Sequence, residues 1–536
     1  MDLSISFIDL AIILFYFVLV FGIAIWSSRR DNVREDSTGY FLAGRNIGWV
    51  VIGTSLFASN IGSEHLVGLA GTGAHSGVAV GQFEILASLI LLILGWVFVP
   101  FYLKSGVFTM PEFLEKRYSK GARAYLSWIS IIGYVLTKIS VTIYAGGIVF
   151  EVMGMNFWLG AIVVVVATGI YTVFGGLRAV VFTEFMQTFV LIGGALLVTG
   201  IGLWKVGGWD ELYATAGSSF FDMWQPASHP DFPWTGILFG APILGVWYWC
   251  TDQFIVQRVL SAKNIDHARR GTILGGFLKI LPLFIFVIPG IIAFALAQKG
   301  VLTLDKADQA LPVLIDVLLP VGVKGLVLAG LLAALMSSLS AVFNSCSTLI
   351  TIDIYKQMRP EAPEKRLVLV GQVATVFLVV LGLLWIPFME LISGELYKYL
   401  QSVQAYISPP IAAVFLLGIF MKRLNSQGAM ASLIAGFVLG MGRLVAELFK
   451  NDLSGWLFWY ADLNFLHFAI FLFVICSAVL IIVSMATTEP SEAKIAGLTY
   501  GTATATESDS KWRKMDVVYS VGLVILVALV WMYFTG

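Results

Sequence analysis

Charge is scarce in this chain. Only 12% of its 536 residues are Asp, Glu, Lys or Arg, against 58% hydrophobic residues and a mean hydropathy of +0.88. A soluble protein of this length cannot hide so much apolar surface, which leaves a polytopic membrane protein. The 33 basic and 33 acidic residues cancel, so no nucleic-acid partner is implied. Cysteine is as sparse. Cys250, Cys346 and Cys476 lie in apolar segments without metal or disulfide spacing and read as small buried hydrophobes. The five histidines (His65, His75, His229, His267 and His467) never pair at i,i+4, and no G-x-S-x-G or phosphate loop occurs. A membrane enzyme therefore has no support. The start MDLSISFIDL lacks a basic n-region and the following apolar run lacks an A-x-A site, so no cleavable signal peptide is expected.

Long apolar runs are plentiful. They occur near 7–27, 48–70, 79–103, 125–149, 158–172, 180–203, 235–257, 273–298, 325–352, 368–386, 397–419, 428–448, 457–485 and 515–534, which predicts fourteen spans. With the N-terminus outside, the inner loops 28–47, 104–124, 173–179, 258–272, 353–367, 420–427 and 486–514 hold 24 of the 33 basic residues. The outer segments hold five: Lys205, Lys299, Lys306, Lys324 and Lys450. That bias favours an outside N-terminus and C-terminus. The outer loop 204–234 is long. The inner loop 486–514 reads as polar and weakly structured. The segment 300–324 reads as a short outer helix, starting near Asp305 and ending at Pro320.

Two spans are polar where they should be most apolar. In 48–70, the run Ala58-Ser59-Asn60-Ile61-Gly62-Ser63-Glu64-His65 sits at membrane depth. Its hydroxyl and amide side chains compete with backbone hydrogen bonds, and Gly62 lowers the cost of unwinding. In 235–257, the stretch GAPILGVWYWCTDQFIVQR carries Asp252, two glutamines and Arg258. Its Gly-Ala-Pro start and Gly245 loosen the helix. A loosened polar helix is tolerated in a membrane only where it is buried in protein or lines a cavity. The two lie five spans apart, an odd offset that gives them opposite orientations. This is the pattern of a five-plus-five inverted repeat around one central site, 48–203 facing 235–427. The segment 1–47 precedes the repeats, and 428–536 adds three peripheral helices. A channel would instead want a continuous charged or carbonyl-lined pore, and a sensor a signalling domain.

The stretches SNIGSEHLVGLAGTG, LGWVFVPFYLKSGVFTMPEFLEKRY, YTVFGGLRAVVFTE, WYWCTDQFIVQRVLSAKN, FNSCSTLITIDIY and ISPPIAAVFLLGIF resemble the sodium/solute symporter family. They are most similar to its sodium/glucose branch, shared with inositol carriers. The resemblance runs over roughly 8–450. It implies an all-α, fourteen-helix, LeuT-like fold in a cell membrane. The implied activity is secondary transport that couples inward sodium movement to uptake of a hexose or inositol.

The resemblance also implies a site. Sodium would take the carbonyls of Ala58, Ile61 and Ala334 and the hydroxyls of Ser337 and Ser338. Hard oxygen ligands at a helix break suit that ion. His65, Glu84, Lys279 and Gln401 would contact sugar hydroxyls. Tyr248 would stack beneath the sugar as inner gate, held by Asn60, with Trp249 lining the pocket. Leu69, Phe83 and Tyr397 match the outer gate. A second sodium is expected between Glu184, Ser338 and Ser340, unless Arg178 takes the carboxylate. Three positions depart from relatives: Gly245 replaces a polar residue, Lys398 makes the outer edge more basic, and Glu184 replaces the usual Asp.

Overall fold

The computed structural model describes residues 6–29, 37–62, 64–139, 141–143, 146–147, 156–304, 307–389, 396–500, 502 and 510–536. It is helical throughout, without a named strand among the described residues. The principal helices are α1 (Phe7–Arg29), α2 (Trp49–Asn60), α3 (Gln82–Ile93), α4 (Met110–Arg117), α5 (Lys120–Gly133), α6 (Phe157–Val206), α7 (Ala241–Gly245) and α8 (Gln253–Leu260). They continue as α9 (Ile265–Leu278), α10 (Val323–Thr348), α11 (Glu364–Met389), α12 (Leu396–Phe420), α13 (Ser426–Leu448), α14 (Phe465–Ala486) and α15 (Ser510–Tyr533).

Among the described residues, ten helices are long and apolar enough to cross a membrane. The four expected spans outside these ten each differ for a visible reason. Two, 48–70 and 235–257, are interrupted. The run near 158–172 forms a shorter apolar stretch, Trp158–Ile170, and 125–149 lies partly outside the described residues.

Three expectations need correction. The loop expected at 173–179 is helical, because α6 runs unbroken for 50 residues from its Asn156 cap to Gly207. The span expected at 457–485 is two helices, Gly455–Asp462 and α14. Asn464 divides them, its Oδ1 accepting from Leu466 N at 2.9 Å as a helix cap. The inner loop is partly held rather than loose: Lys494 Nζ donates to Glu115 O at 2.6 Å and Tyr500 N to Ile419 O at 2.8 Å. The outer helix after Gly300 is Ala310–Leu318, entered through a 3-10 turn at Ala307–Gln309, and Asp305 lies outside the described residues.

Small residues set close helix contacts around the site. α2 lies against α9 where Gly53 meets Gly271; a Cβ on Gly271 would stand 2.6 Å from Ile52 Cγ2. Further along, Gly290 of Ile288–Gln298 abuts Ala70 so closely that a Cβ would overlap the Ala70 carbonyl. Apolar helices in lipid gain their association from such close packing rather than from water exclusion. The two contacts lie on either side of the α2 break. They hold the middle of 265–298, where Lys279 sits, against that break. This second helix is itself interrupted just beyond Lys279, where Pro282 supplies no N–H and its ring clashes with the preceding turn.

Candidate transport site

The first break falls where the polar run predicts it. α2 ends at Asn60. Ile61 is extended (φ −74°, ψ 105°) and its N–H closes the ladder on Phe57 O. The last carbonyls of a helix have no intrahelical partner, so those of 58–60 are released at the centre of the protein. The helix resumes as a π-helical turn, Glu64–Leu69. The second break falls inside the expected stretch, which is interrupted at Gly240, between Trp234–Phe239 and α7, but not at Gly245. Gly245 keeps helical dihedrals (φ −64°, ψ −43°) and is pressed against Ile90, which leaves no room to unwind. The helix instead widens into the π-turn Val246–Thr251 and stops at Asp252, which is extended (φ −77°, ψ 126°). Asp252 Oδ1 accepts from Phe254 N at 3.1 Å and so caps α8. Tyr102 donates to the freed Cys250 carbonyl at 2.6 Å.

Between the breaks lies a cavity. Of the residues expected to meet a sugar or gate it, Asn60, His65, Phe83, Glu84, Tyr248, Trp249 and Gln401 line it. Lys279 is wholly buried behind Glu84, and bonds both the Glu84 carboxylate and Asn60 Oδ1. Glu84 Oε1 lies 3.1 Å from His65 Nε2, and Asn60 Nδ2 donates to Tyr248 OH at 2.8 Å. One chain of polar contacts therefore runs His65–Glu84–Lys279–Asn60–Tyr248 and joins α2, α3, α9 and the second broken helix. The Lys279 ammonium also lies 5.3 Å from the Trp249 ring centre. Glu84 and Lys279 neutralise one another inside the protein, as a buried pair must. The cavity wall thus offers many donors and acceptors while this central pair carries no net charge.

Among the residues expected at the outer gate, Phe83 stacks on Phe465 at 6.5 Å and meets Phe232 edge-on at 6.1 Å. Leu69 is fully buried. The side chains of Tyr397 and Lys398 lie outside the described residues. Below Tyr248 is a residue that sequence reasoning left unassigned. Lys138 Nζ sits 4.3 Å from the Tyr248 ring centre, 3.8 Å from that of Phe254 and 3.4 Å from Asp252 Oδ2. Its place inside an apolar span was the only signal. Gln404 and Glu64 also line the cavity. The first could be found by its position one turn after Gln401, the second by its place beside His65.

At the first break, Ser338 Oγ lies 3.0 Å from where a Cβ on Gly62 would stand, so α10 presents this hydroxyl directly to the unwound backbone. Ala58, Ile61, Ala334, Ser337 and Ser338 are all buried there. The neighbouring site differs from expectation. Glu184 is wholly buried and its Oε1 pairs with Arg258 NH2 at 2.8 Å, while Ser55 donates to its other oxygen. Arg258, not Arg178, takes the carboxylate. Ser340 Oγ donates to Ser337 O at 2.9 Å. A carboxylate with a full cationic partner has little left to offer a metal ion.

Comparison with known proteins now decides the class. The profile of the sodium:solute symporter family matches residues 40–436. The chain belongs to that family. Sodium/glucose cotransporter 4 of Mus musculus is 41% identical over 539 residues, covering 94% of this chain and 78% of that protein. Sodium/glucose cotransporter 1 of Oryctolagus cuniculus is 41% identical over 522 residues, covering 89% and 79%. The sodium/myo-inositol cotransporter of Mus musculus is 39% identical over 545 residues, covering 92% and 75%. A solved Na+-coupled sialic acid symporter, in a substrate-bound outward-open state, shares the fold of this symporter-family chain. Its TM-score is 0.79 at 23% identity, over 90% of this chain and 99% of that one.

Proposed function

We propose that this chain is a secondary transporter in which inward sodium movement drives uptake of a neutral hexose, with inositol as the alternative polyol, by alternating access. The observation that carries this is the polar chain from His65 to Tyr248, set between two helix breaks with the Ser338 hydroxyl against the first. A neutral polyol is favoured because the buried Glu84 and Lys279 satisfy each other. A carboxylate substrate would need an unpaired cation in the wall, and no lysine or arginine is among the described residues lining the cavity. The aromatic faces of Tyr248 and Trp249 suit the apolar face of a sugar ring. Relatives named for glucose and for myo-inositol transport support both members of that class.

Sodium, the coupled cargo, binds at the 58–61 break with Ala334, Ser337 and Ser338. One sodium accompanies each sugar, because Arg258 already occupies Glu184. The protein spans a cell membrane with fourteen helices, both termini outside, and a five-plus-five core. The ten spanning helices, the two breaks and the basic inner loops support this arrangement. Sodium-driven uptake of labelled hexose by purified protein in proteoliposomes, with a panel of sugars and inositols as competitors, tests the reading. Equal competition by an amino acid or a carboxylate would sink the substrate class.

A further inference from the structure

A second, smaller cavity adjoins the first, and Glu64 and Gln404 line both. Its walls are one face of α12, which carries Gln404, and one face of α5 with the turn that follows, which carries Ser130, Gly133 and Lys138. Trp247 lines it as well, its ring 6.0 Å from that of Tyr248 and edge-on. Tyr248 lines the first cavity, and Lys138, 4.3 Å from its ring centre, lines the second. The two cavities share Glu64 and Gln404, and the Tyr248–Trp247 ring contact joins a wall of one to a wall of the other.

The chemistry of the first cavity recurs in thinner form. The first has an aromatic pair, an amide at Gln401 and the Glu84–Lys279 couple. The second has the Trp247 ring, an amide at Gln404, a hydroxyl at Ser130 and an acid and a base, Glu64 and Lys138. Beyond these and Tyr134, whose hydroxyl already accepts from Phe254 N, the lining is aliphatic apart from Gly133, so a polyol there finds fewer hydrogen-bond partners. A path through a membrane needs such a site, favourable enough to enter and weak enough to leave. Building on the symport reading above, we propose that this cavity is a second, weaker polyol subsite, which the sugar occupies in transit after leaving the first. Glu64 and Gln404, facing both chambers, pass the sugar's hydroxyls from one to the other.

Gly133 offers the probe, because a Cβ there meets nothing within 4 Å. Gly133→Phe fills open space in the second cavity and leaves the polar chain of the first untouched. At saturating sodium, equilibrium dialysis with labelled glucose should find two sugars per wild-type chain, the second at least about tenfold weaker. Gly133→Phe should bind one sugar with the tighter Kd within about twofold of wild type. Its sodium-driven turnover in proteoliposomes should fall at least about tenfold. One sugar per wild-type chain across the whole concentration range overturns the subsite, and this result does not depend on how the variant folds. Wild-type turnover in both Gly133→Phe and Ser130→Phe overturns it too. Absence of any sodium-dependent glucose uptake by the wild type would instead strike at the symport reading on which the subsite rests.

Discussion

Single side chains divide here by what their loss leaves behind. Gln401 borders the cavity and can be replaced by water, so Gln401→Ala removes one hydrogen bond to the sugar. That costs about 0.5–1.5 kcal/mol, and 1.4 kcal/mol is about tenfold in affinity. The expected result is a sugar KM raised severalfold, up to about tenfold, with thermal stability unchanged, read from uptake kinetics and a melting curve. Lys279 is different, because it lies behind the cavity with Glu84 as its partner. Lys279→Ala leaves a buried carboxylate unmatched, a loss of about 3–5 kcal/mol when a buried pair is broken. Both Tm and uptake should fall. Lys279→Met with Glu84→Gln should recover most of the Tm without recovering sugar affinity. Recovery of both would remove this pair from the substrate site. Ser338→Ala takes a hydroxyl from a site water cannot easily refill. The sodium concentration for half-maximal uptake should rise about tenfold or more, and unchanged sodium activation would exclude the 58–61 break as the ion's site.

Helix interruptions are the elements on which the site depends. Asp252 both caps α8 and faces Lys138. Asp252→Ala should therefore lower stability by more than the roughly 1 kcal/mol typical of a lost cap, whereas Gly245→Ala should act mainly through its clash with Ile90. Thermal unfolding of the two variants separates these effects. The first break was legible in the sequence to within a residue, since Ser59, Asn60 and Gly62 all disfavour an uninterrupted helix in one short run. The second was legible as a segment but not as a position. A glycine packed against Ile90 stays helical, while an acid that can turn to cap the next N–H stops the helix. Pro282 and Asn464 also ended helices where span lengths alone showed continuous runs. The 173–179 stretch did the reverse, because a short polar interlude with paired glycines reads as a loop whether or not neighbouring helices keep it wound.

At the scale of the molecule, composition and the distribution of basic residues were enough for the membrane class, and two polar interruptions were enough for the idea of a central site. Long-range pairing was not legible. Glu184 and Arg258 are 74 positions apart, and nothing local indicates that the arginine of the second broken helix reaches the acid on α6. That pair bears on stoichiometry. With Arg258 on Glu184, the membrane potential at which net flux reverses, under fixed sodium and sugar gradients, should correspond to one sodium per sugar. A ratio of two would mean that a second ion displaces Arg258 during the cycle. The central claim is tested most directly by labelled glucose uptake into proteoliposomes of the purified chain under an inward sodium gradient. Glucose should accumulate inside above its external concentration, and the accumulated sugar should leave when a sodium ionophore collapses the gradient. Equal uptake with and without sodium, stopping at the external concentration, would contradict the account.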